Sequence, residues 1–256
     1  MNGQVLQCVR LVCYVKNRIR NGLDIPYKDL RYEKTLSFTF LPDPASPGGK
    51  HDVVKSAQDW CRGLQNRNLS EIWFCLGKAL NIPDIPAFGI MTVYADGRIT
   101  RWLGNWEFAK WKKKWQIRYT EVPCDNIRKE SLNLDDPAET FKTILPYIEA
   151  LAAEISSPPF ASLFRQAYRI LSGEAPAVLP DWMGKNLVVP DEQARRLLAA
   201  AATADVFGGM GSWNDVPAGY AEAAGRGEEY RQMSRKLAYQ VSKATMYAVN
   251  TCTGKE

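Results

Sequence analysis

The spacing of apolar residues changes about halfway along the chain, and this change constrains the fold more than any other feature. In the first half, apolar and polar residues alternate in short runs such as Leu36 to Phe40, as in a half-buried β-strand. In the second half, apolar residues recur every three or four positions, as on one face of a helix. We therefore predict an α+β fold. An N-terminal unit, residues 1–130, combines a small antiparallel sheet with helices, and a C-terminal unit, residues 131–256, is all-helical with about four helices.

The clearest local signal in the N-terminal unit is FGIMTVYADGRITRWLG, residues 88–104. Asp96-Gly97 predicts a tight type I′ turn between two strands, because both central positions of that turn need positive φ. The following segment WEFAKWKKKW, residues 106–115, is predicted as a short helix, and the alternation from Trp115 onward predicts a further strand. Two more helices are predicted near residues 52–64 and 69–80.

Four helices are predicted in the C-terminal unit. The first begins at Asp136-Pro137-Ala138-Glu139, which combines an N-cap, a proline in the first turn and a capping-box acid. Pro146 is expected to kink this helix. The second follows Pro158-Pro159, the third is DEQARRLLAAAATADVF, residues 191–207, and the fourth carries apolar residues from Tyr230 to Ala248.

Composition narrows the chemistry that the chain can perform. No apolar run reaches the roughly 18 residues that cross a bilayer, and Arg10 interrupts the apolar stretch near the N-terminus. We therefore expect a cytoplasmic protein that does not associate with a membrane. The six cysteines are scattered, and His51 is the single histidine. Two-histidine zinc sites are therefore excluded, and no motif indicates a metal, a cofactor or a catalytic nucleophile.

Charge is uneven along the chain. Residues 1–130 hold 21 lysines and arginines against 13 aspartates and glutamates, a net charge of +8, whereas the remainder carries a net charge of −3.

The segment RWLGNWEFAKWKKKWQIRY, residues 101–119, holds four of the eight tryptophans and six basic residues against one acid. Interleaved aromatic and basic residues bind single-stranded nucleic acid or an acidic protein surface. The candidate contact residues are Arg101, Trp102, Trp106, Lys110, Lys112, Lys113 and Lys114. In the alternative interpretation, Trp111 and Trp115 share a helical face in the core and the lysines form a solvated edge.

A glycine cluster, FGGMGSWND, follows the third predicted helix at residues 207–215. A glycine-rich loop binds phosphate when it leads into a helix, because free amide groups then face the anion. Here the glycines follow a helix, so we interpret them as its stop signal, with Gly208 or Gly209 in the left-handed conformation. Ser212, Asn214 and Asp215 would bond to the turn, and Phe207, Met210 and Trp213 would anchor it.

The same segment, from Phe207 through Gly208, Gly209, Met210, Gly211, Ser212, Trp213 and Asn214 to Asp215, resembles the signature of a family of uncharacterised bacterial domains. That signature reads FGGMGS, an apolar residue and ND, and it lies between a set of amphipathic helices and a final helix. The resemblance covers about the C-terminal half of the chain. It implies a protein similar to the immunity proteins or antitoxins that are encoded beside secreted toxins.

Three functional hypotheses follow. The first is a non-enzymatic, immunity-type protein that neutralises a cognate toxin by occluding its surface, with residues 98–119 as the contact. A basic contact fits an acidic or neutral toxin. The second is a nucleic-acid-binding accessory protein that uses the same segment, and the third is an enzyme with a site between the two halves. The sequence does not identify the partner or the oligomeric state.

Overall fold

The computed structural model describes residues 1–42, 51–77, 88–124 and 135–253, apart from the Lys112 side chain. Contacts between Cα atoms group the chain into two compact units. We call Cys8–Asn133 with Asn186–Val188 the sheet unit, and Met1–Gln7, Leu134–Lys185 and Val189–Glu256 the helical unit. The described residues therefore form a mixed α+β fold.

The sheet unit is built from six strands and two helices within the described ranges. Helix α1 spans Gly3–Arg20, its first five residues grouping with the helical unit, and helix α2 spans Ala57–Asn66. The strands are β1 (Glu33–Thr39), β2 (Val53–Val54), β3 (Leu69–Cys75), β4 (Gly89–Tyr94), β5 (Ile99–Ala109) and β6 (Lys114–Pro123). They lie in the order β2-β1-β6-β5-β4-β3.

The sheet is mixed, so the prediction of a small antiparallel sheet is only partly correct. Strand β1 pairs in parallel with β6, for example Leu36 with Ile117 and Phe38 with Tyr119, and the other neighbours are antiparallel. Two strands so far apart in the chain can pair in parallel because a long connection returns the chain to the same end of the sheet.

An aromatic cluster between the sheet and α2 forms the core of the sheet unit. Phe38 stacks on Trp60 of α2 at a centroid distance of 4.5 Å and on Tyr119 at 5.6 Å. Trp102 meets the Trp60 ring edge-on at 5.3 Å. Rings packed in this way bury large areas and add specific geometry, so they fix α2 over the centre of the sheet.

Helix α1 is buried from Leu6 to Asn17, although this stretch includes polar and charged residues. Two of them bond to backbone carbonyls: Arg10 donates to Lys28 O at 2.6 Å, and Asn17 donates to Val188 O at 2.8 Å. These hydrogen bonds offset the desolvation that burial of polar groups costs.

The helical unit contains five further helices rather than four in its described part. They are α3 (Ala138–Glu154), α4 (Pro158–Leu171), α5 (Glu192–Ala204), α6 (Val216–Ala223) and α7 (Gly227–Asn250). The four predicted helices correspond to α3, α4, α5 and α7. The additional helix α6 has only eight residues, too short for a clear apolar stripe.

The predicted cap of α3 is only partly correct: Pro137, not Asp136, is the N-cap residue, and no side chain at that position caps the helix. The Asp136 carboxylate accepts a hydrogen bond from the Ala138 amide at 2.9 Å, and Asp191 accepts from the Ala194 amide at 2.7 Å. Pro146 lies inside α3, which continues on both sides of it. In the described part of the chain, no helix combines the length and the hydropathy that a bilayer span needs.

Three local predictions in the sheet unit are wrong. Residues 69–75 of the predicted helix 69–80 form strand β3, because their backbone pairs with β4; Leu80 lies outside the described residues. The segment 106–115 is not a helix but the end of the β5–β6 hairpin. The turn at Asp96-Gly97 does connect two strands, but only Gly97 has positive φ (85°), so it is not of type I′. It fits a three-residue loop with a left-handed glycine.

A candidate binding surface on the β5–β6 hairpin

The end of the β5–β6 hairpin, residues 103–118, is the most distinctive surface of the sheet unit, and we call it the hairpin end. Strands β5 and β6 pair from Thr100 with Pro123 to Ala109 with Lys114. A 3₁₀ turn, Lys110–Lys112, joins them, and Lys113 closes it with a φ of 50°. Backbone pairing on this scale uses the amide and carbonyl groups that a helix would need, which explains why the predicted helix does not form.

Aromatic rings line one face of the hairpin end. Side chains on a strand alternate between faces, so Trp106 and Phe108 follow Trp102 along the same face of β5. Trp106 lies 5.9 Å from Trp115, and Phe108 lies 5.1 Å from Trp115, measured between ring centroids. Trp102 is 1% exposed beside α2, whereas Phe108 is 48% exposed. The same row of aromatic residues therefore begins in the core and ends at the surface.

Trp111 lies in the turn of the hairpin end and is 76% exposed. The interpretation that Trp111 fills the core is wrong, because no helix turns it inward. The Lys34 ammonium of β1 lies 4.7 Å from the centroid of the Trp111 ring, which is cation–π distance. Tryptophan is enriched among the residues that dominate binding at interfaces, so Trp111 is a candidate contact residue.

Positive charge surrounds Trp111. Lys110, Lys113 and Lys114 are exposed, and Lys34 approaches from β1. The nearest acid in the hairpin, Glu107, forms an ion pair with Arg118 at 3.1 Å. The hairpin end is consequently an aromatic surface within a positive field.

The candidate contact residues are not all placed on this surface. Trp102 is buried against Phe40 and Trp60 and cannot touch a partner, so its assignment as a contact residue is wrong. Arg101 and Trp106 are half-buried, and the side chain of Lys112 lies outside the described residues. Two further residues of this surface, Lys34 and Phe108, were not among the predicted contact residues. Their positions in the sequence do not indicate that they lie beside Trp111 or at the surface.

A second polar cluster, at the base of the hairpin, is structural. The buried Glu121 carboxylate accepts hydrogen bonds from Tyr94 at 2.5 Å, from Thr100 at 2.7 Å and from the Leu41 amide at 3.0 Å. Burial, followed by the charge of Glu121, raises the pKa of the Tyr94 phenol. The phenol therefore remains protonated and keeps donating to the carboxylate. Both carboxylate oxygens are engaged, as expected of a buried acid that holds three strands together.

The glycine cluster, residues 207–215, closes on itself. Asn214 Oδ1 accepts from the Gly208 amide at 3.1 Å and from the Ser212 hydroxyl at 2.8 Å, and Asp215 accepts from the Gly211 amide at 2.7 Å. These bonds occupy two of the amides that an anion would need. Helix α5 ends at Ala204 with Asp205 as its C-cap, so the glycines are not its stop signal, and α6 begins at Val216, directly after the cluster.

Two further details of the predicted glycine cluster are wrong. The left-handed residue is Gly211, with a φ of 80°, and neither Gly208 nor Gly209 has positive φ. Met210 is 99% exposed and anchors nothing, and Phe207 is half-buried. Trp213 alone is fully buried; its ring contacts Phe160, Phe164 and Tyr230, and its indole donates to Ser234 at 2.7 Å.

The metal-ligating and nucleophilic side chains among the described residues are dispersed or buried. No three histidine, cysteine, aspartate or glutamate side chains in these ranges come together as metal ligands. The His51 Nδ1 atom lies 2.9 Å from the Phe40 carbonyl oxygen. Burial raises the pKa of the Cys8 thiol to about 12 and that of the Cys61 thiol to about 11, which disfavours the nucleophilic thiolate. Comparisons with protein-family models, with curated proteins and with solved structures find no match for the chain.

Proposed function

We propose that the protein is a non-enzymatic binding protein of the immunity type, which neutralises a cognate toxin by covering its surface with the hairpin end. The observation that carries this proposal is the 76% exposure of Trp111 within a ring of lysines. Tryptophan at a contact surface supplies much of the binding free energy, because burying its ring removes a large apolar area from water.

The charge of the hairpin end defines the complementary partner surface. The positive charges attract an acidic patch, tolerate a neutral one and repel a basic one; they belong to Lys34, Lys110, Lys113 and Lys114. Toxins that cleave nucleic acids are usually inhibited by acidic proteins that mimic their substrate, and this basic surface argues for a different class of toxin. The FGGMGSWND resemblance supports the immunity assignment independently of the hairpin.

Co-expression with the product of the neighbouring gene tests the proposal. We expect a stable complex with the wild-type protein and rescue of growth in cells that express the neighbour. Trp111→Ala should weaken the complex by about 2 kcal/mol or more, as expected of a central aromatic contact. Met210→Ala, which truncates another exposed apolar side chain in the helical unit, is the control and should bind normally. Normal growth of cells that express the neighbour alone would remove the proposal.

A nucleic-acid-binding accessory protein is the second candidate, favoured by the exposed tryptophan among lysines. Bases would stack on Trp111 while the lysines contact phosphates, and the affinity would fall steeply as salt is raised. Changing Lys112, Lys113 and Lys114 to Glu should then abolish retention on heparin or DNA. Retention that is unchanged by this substitution would eliminate the second candidate.

A further inference from the structure

A cleft of about 530 Å³ lies in the sheet unit between β1 and the start of α2. Its lining includes Lys34, Ser37, Lys55, Ser56 and Tyr27, and we call it the Lys34–Lys55 cleft. The volume is within the range of pockets that hold small molecules or inserted side chains. The lining is more polar than apolar, so its occupant carries polar groups.

The electrostatics of the cleft favour an anion. The lining of the cleft contains two lysines, Lys34 and Lys55, and one carboxylate, that of Asp29. Ser56 caps α2, accepting from the Asp59 amide at 3.0 Å, so the positive end of the helix dipole points toward the cleft. Two cations against one acid leave the cleft with net positive charge.

Tyr27, which also lines the cleft, adds no charge to it. The Tyr27 phenol oxygen is buried and forms no hydrogen bond within the described part of the chain. Burial, followed by the charge of Glu33, raises the pKa of this phenol well above its usual value, so it stays protonated. Tyr27 therefore contributes an uncharged wall to the cleft, and the two lysines supply its attraction for an anion.

Lys34 connects the cleft to the hairpin end, because it lines the cleft while its ammonium lies 4.7 Å from the Trp111 ring centroid. Lys34 is therefore shared by the cleft and by the surface around Trp111. We infer that the Lys34–Lys55 cleft receives carboxylate side chains from an acidic segment of the protein partner, held by Lys34 and Lys55. This inference rests on the proposed function and specifies the partner's chemistry.

Nuclear magnetic resonance titration of the full chain with an acetylated, amidated peptide of glutamates tests the inference. We expect shifts in the resonances of Lys34, Lys55 and Ala57, and no binding of the matching glutamine peptide. The double variant Lys34→Gln/Lys55→Gln should bind the glutamate peptide about tenfold more weakly, because it loses two charge-assisted contacts. The control Lys185→Gln/Lys236→Gln removes the same charge from exposed sites in the helical unit and should leave affinity unchanged.

Four results would overturn the inference, and a fifth would refute the proposed function alone. Equal weakening in both double variants would reduce the effect to overall charge, and shifts outside the cleft would place the carboxylates elsewhere. Tighter binding of oligothymidylate or inorganic phosphate at the same lysines would assign the cleft to phosphate. The double variant Lys34→Gln/Lys55→Gln could capture the neighbouring gene product as well as the wild-type protein does, while Trp111→Ala captures none. That result would refute the inference about the cleft and leave the proposed function standing. Peptide binding in the cleft, with capture retained in Trp111→Ala, would refute the proposed function alone.

Discussion

The hairpin end and the glycine cluster both contain tryptophan, and they use it in opposite ways. In the glycine cluster, Trp213 is fully buried and polar neighbours bond to the backbone amides. In the hairpin end, Trp111 is exposed and lysines surround it. The first arrangement is self-contained, whereas the second leaves an aromatic ring and several lysines accessible to solvent.

This difference teaches that an unusual motif is a poor guide to a functional surface. FGGMGSWND is the more conspicuous sequence, yet its side chains stabilise their own turn. The functional candidate is the segment whose aromatic and basic groups the fold leaves in contact with solvent. The comparison can be tested by substitutions whose expected effects on stability span several kcal/mol.

The largest expected effect is the replacement of the buried tryptophan. Trp213→Ala removes the ring that contacts Phe160, Phe164 and Tyr230, so we expect the free energy of unfolding to fall by about 3–5 kcal/mol. Trp111→Ala should change it by less than about 0.5 kcal/mol, as for other exposed sites. Urea denaturation followed by circular dichroism measures both. Similar losses for the two variants would break the comparison.

A second test compares the buried base of the hairpin with its exposed end. Glu121→Ala leaves the donors Tyr94 and Thr100 without their acceptor, so we expect a loss of about 2–3 kcal/mol. Glu107→Ala breaks only the exposed ion pair with Arg118 and should cost less than about 1 kcal/mol. Thermal unfolding of the two variants distinguishes these outcomes. A larger loss for Glu107→Ala would show that the hairpin end supports the fold.

Of the three buried or turn positions tested, Asp215 of the glycine cluster should give the smallest loss. Asp215→Ala removes the acceptor for the Gly211 amide and should destabilise the protein by about 1 kcal/mol. Asp215→Asn retains an acceptor oxygen and should recover most of this stability. Binding of the partner should be unaffected by either change. Loss of binding in a folded Asp215→Ala protein would assign the cluster to the contact surface.

The sequence predicted elements that local patterns determine. Strand β1, the strand after Trp115 and the four longer helices of the helical unit all follow from apolar spacing and capping residues. Helix α1 was not predicted, because Gln7, Arg10, Lys16 and Asn17 are buried along with its apolar residues and no amphipathic stripe remains.

The wrongly predicted elements are those whose structure depends on hydrogen bonds between strands that are distant in the chain. Residues 106–115 place Trp111 and Trp115 at helical spacing, and only the pairing of β5 with β6 and of β6 with β1 selects strands. The sequence indicated which segment holds the candidate site but not which of its side chains are exposed. Exposure of Trp111 and burial of Trp102 depend on where α2 covers the sheet, which spacing along the chain does not encode.

Amide hydrogen exchange of the complex with the neighbouring gene product tests the central claim most directly. If the hairpin end is the contact surface, complex formation slows exchange over residues 104–116 and leaves residues 207–215 unchanged. Slower exchange over residues 207–215, with none over residues 104–116, would contradict the account and make the glycine cluster the binding site.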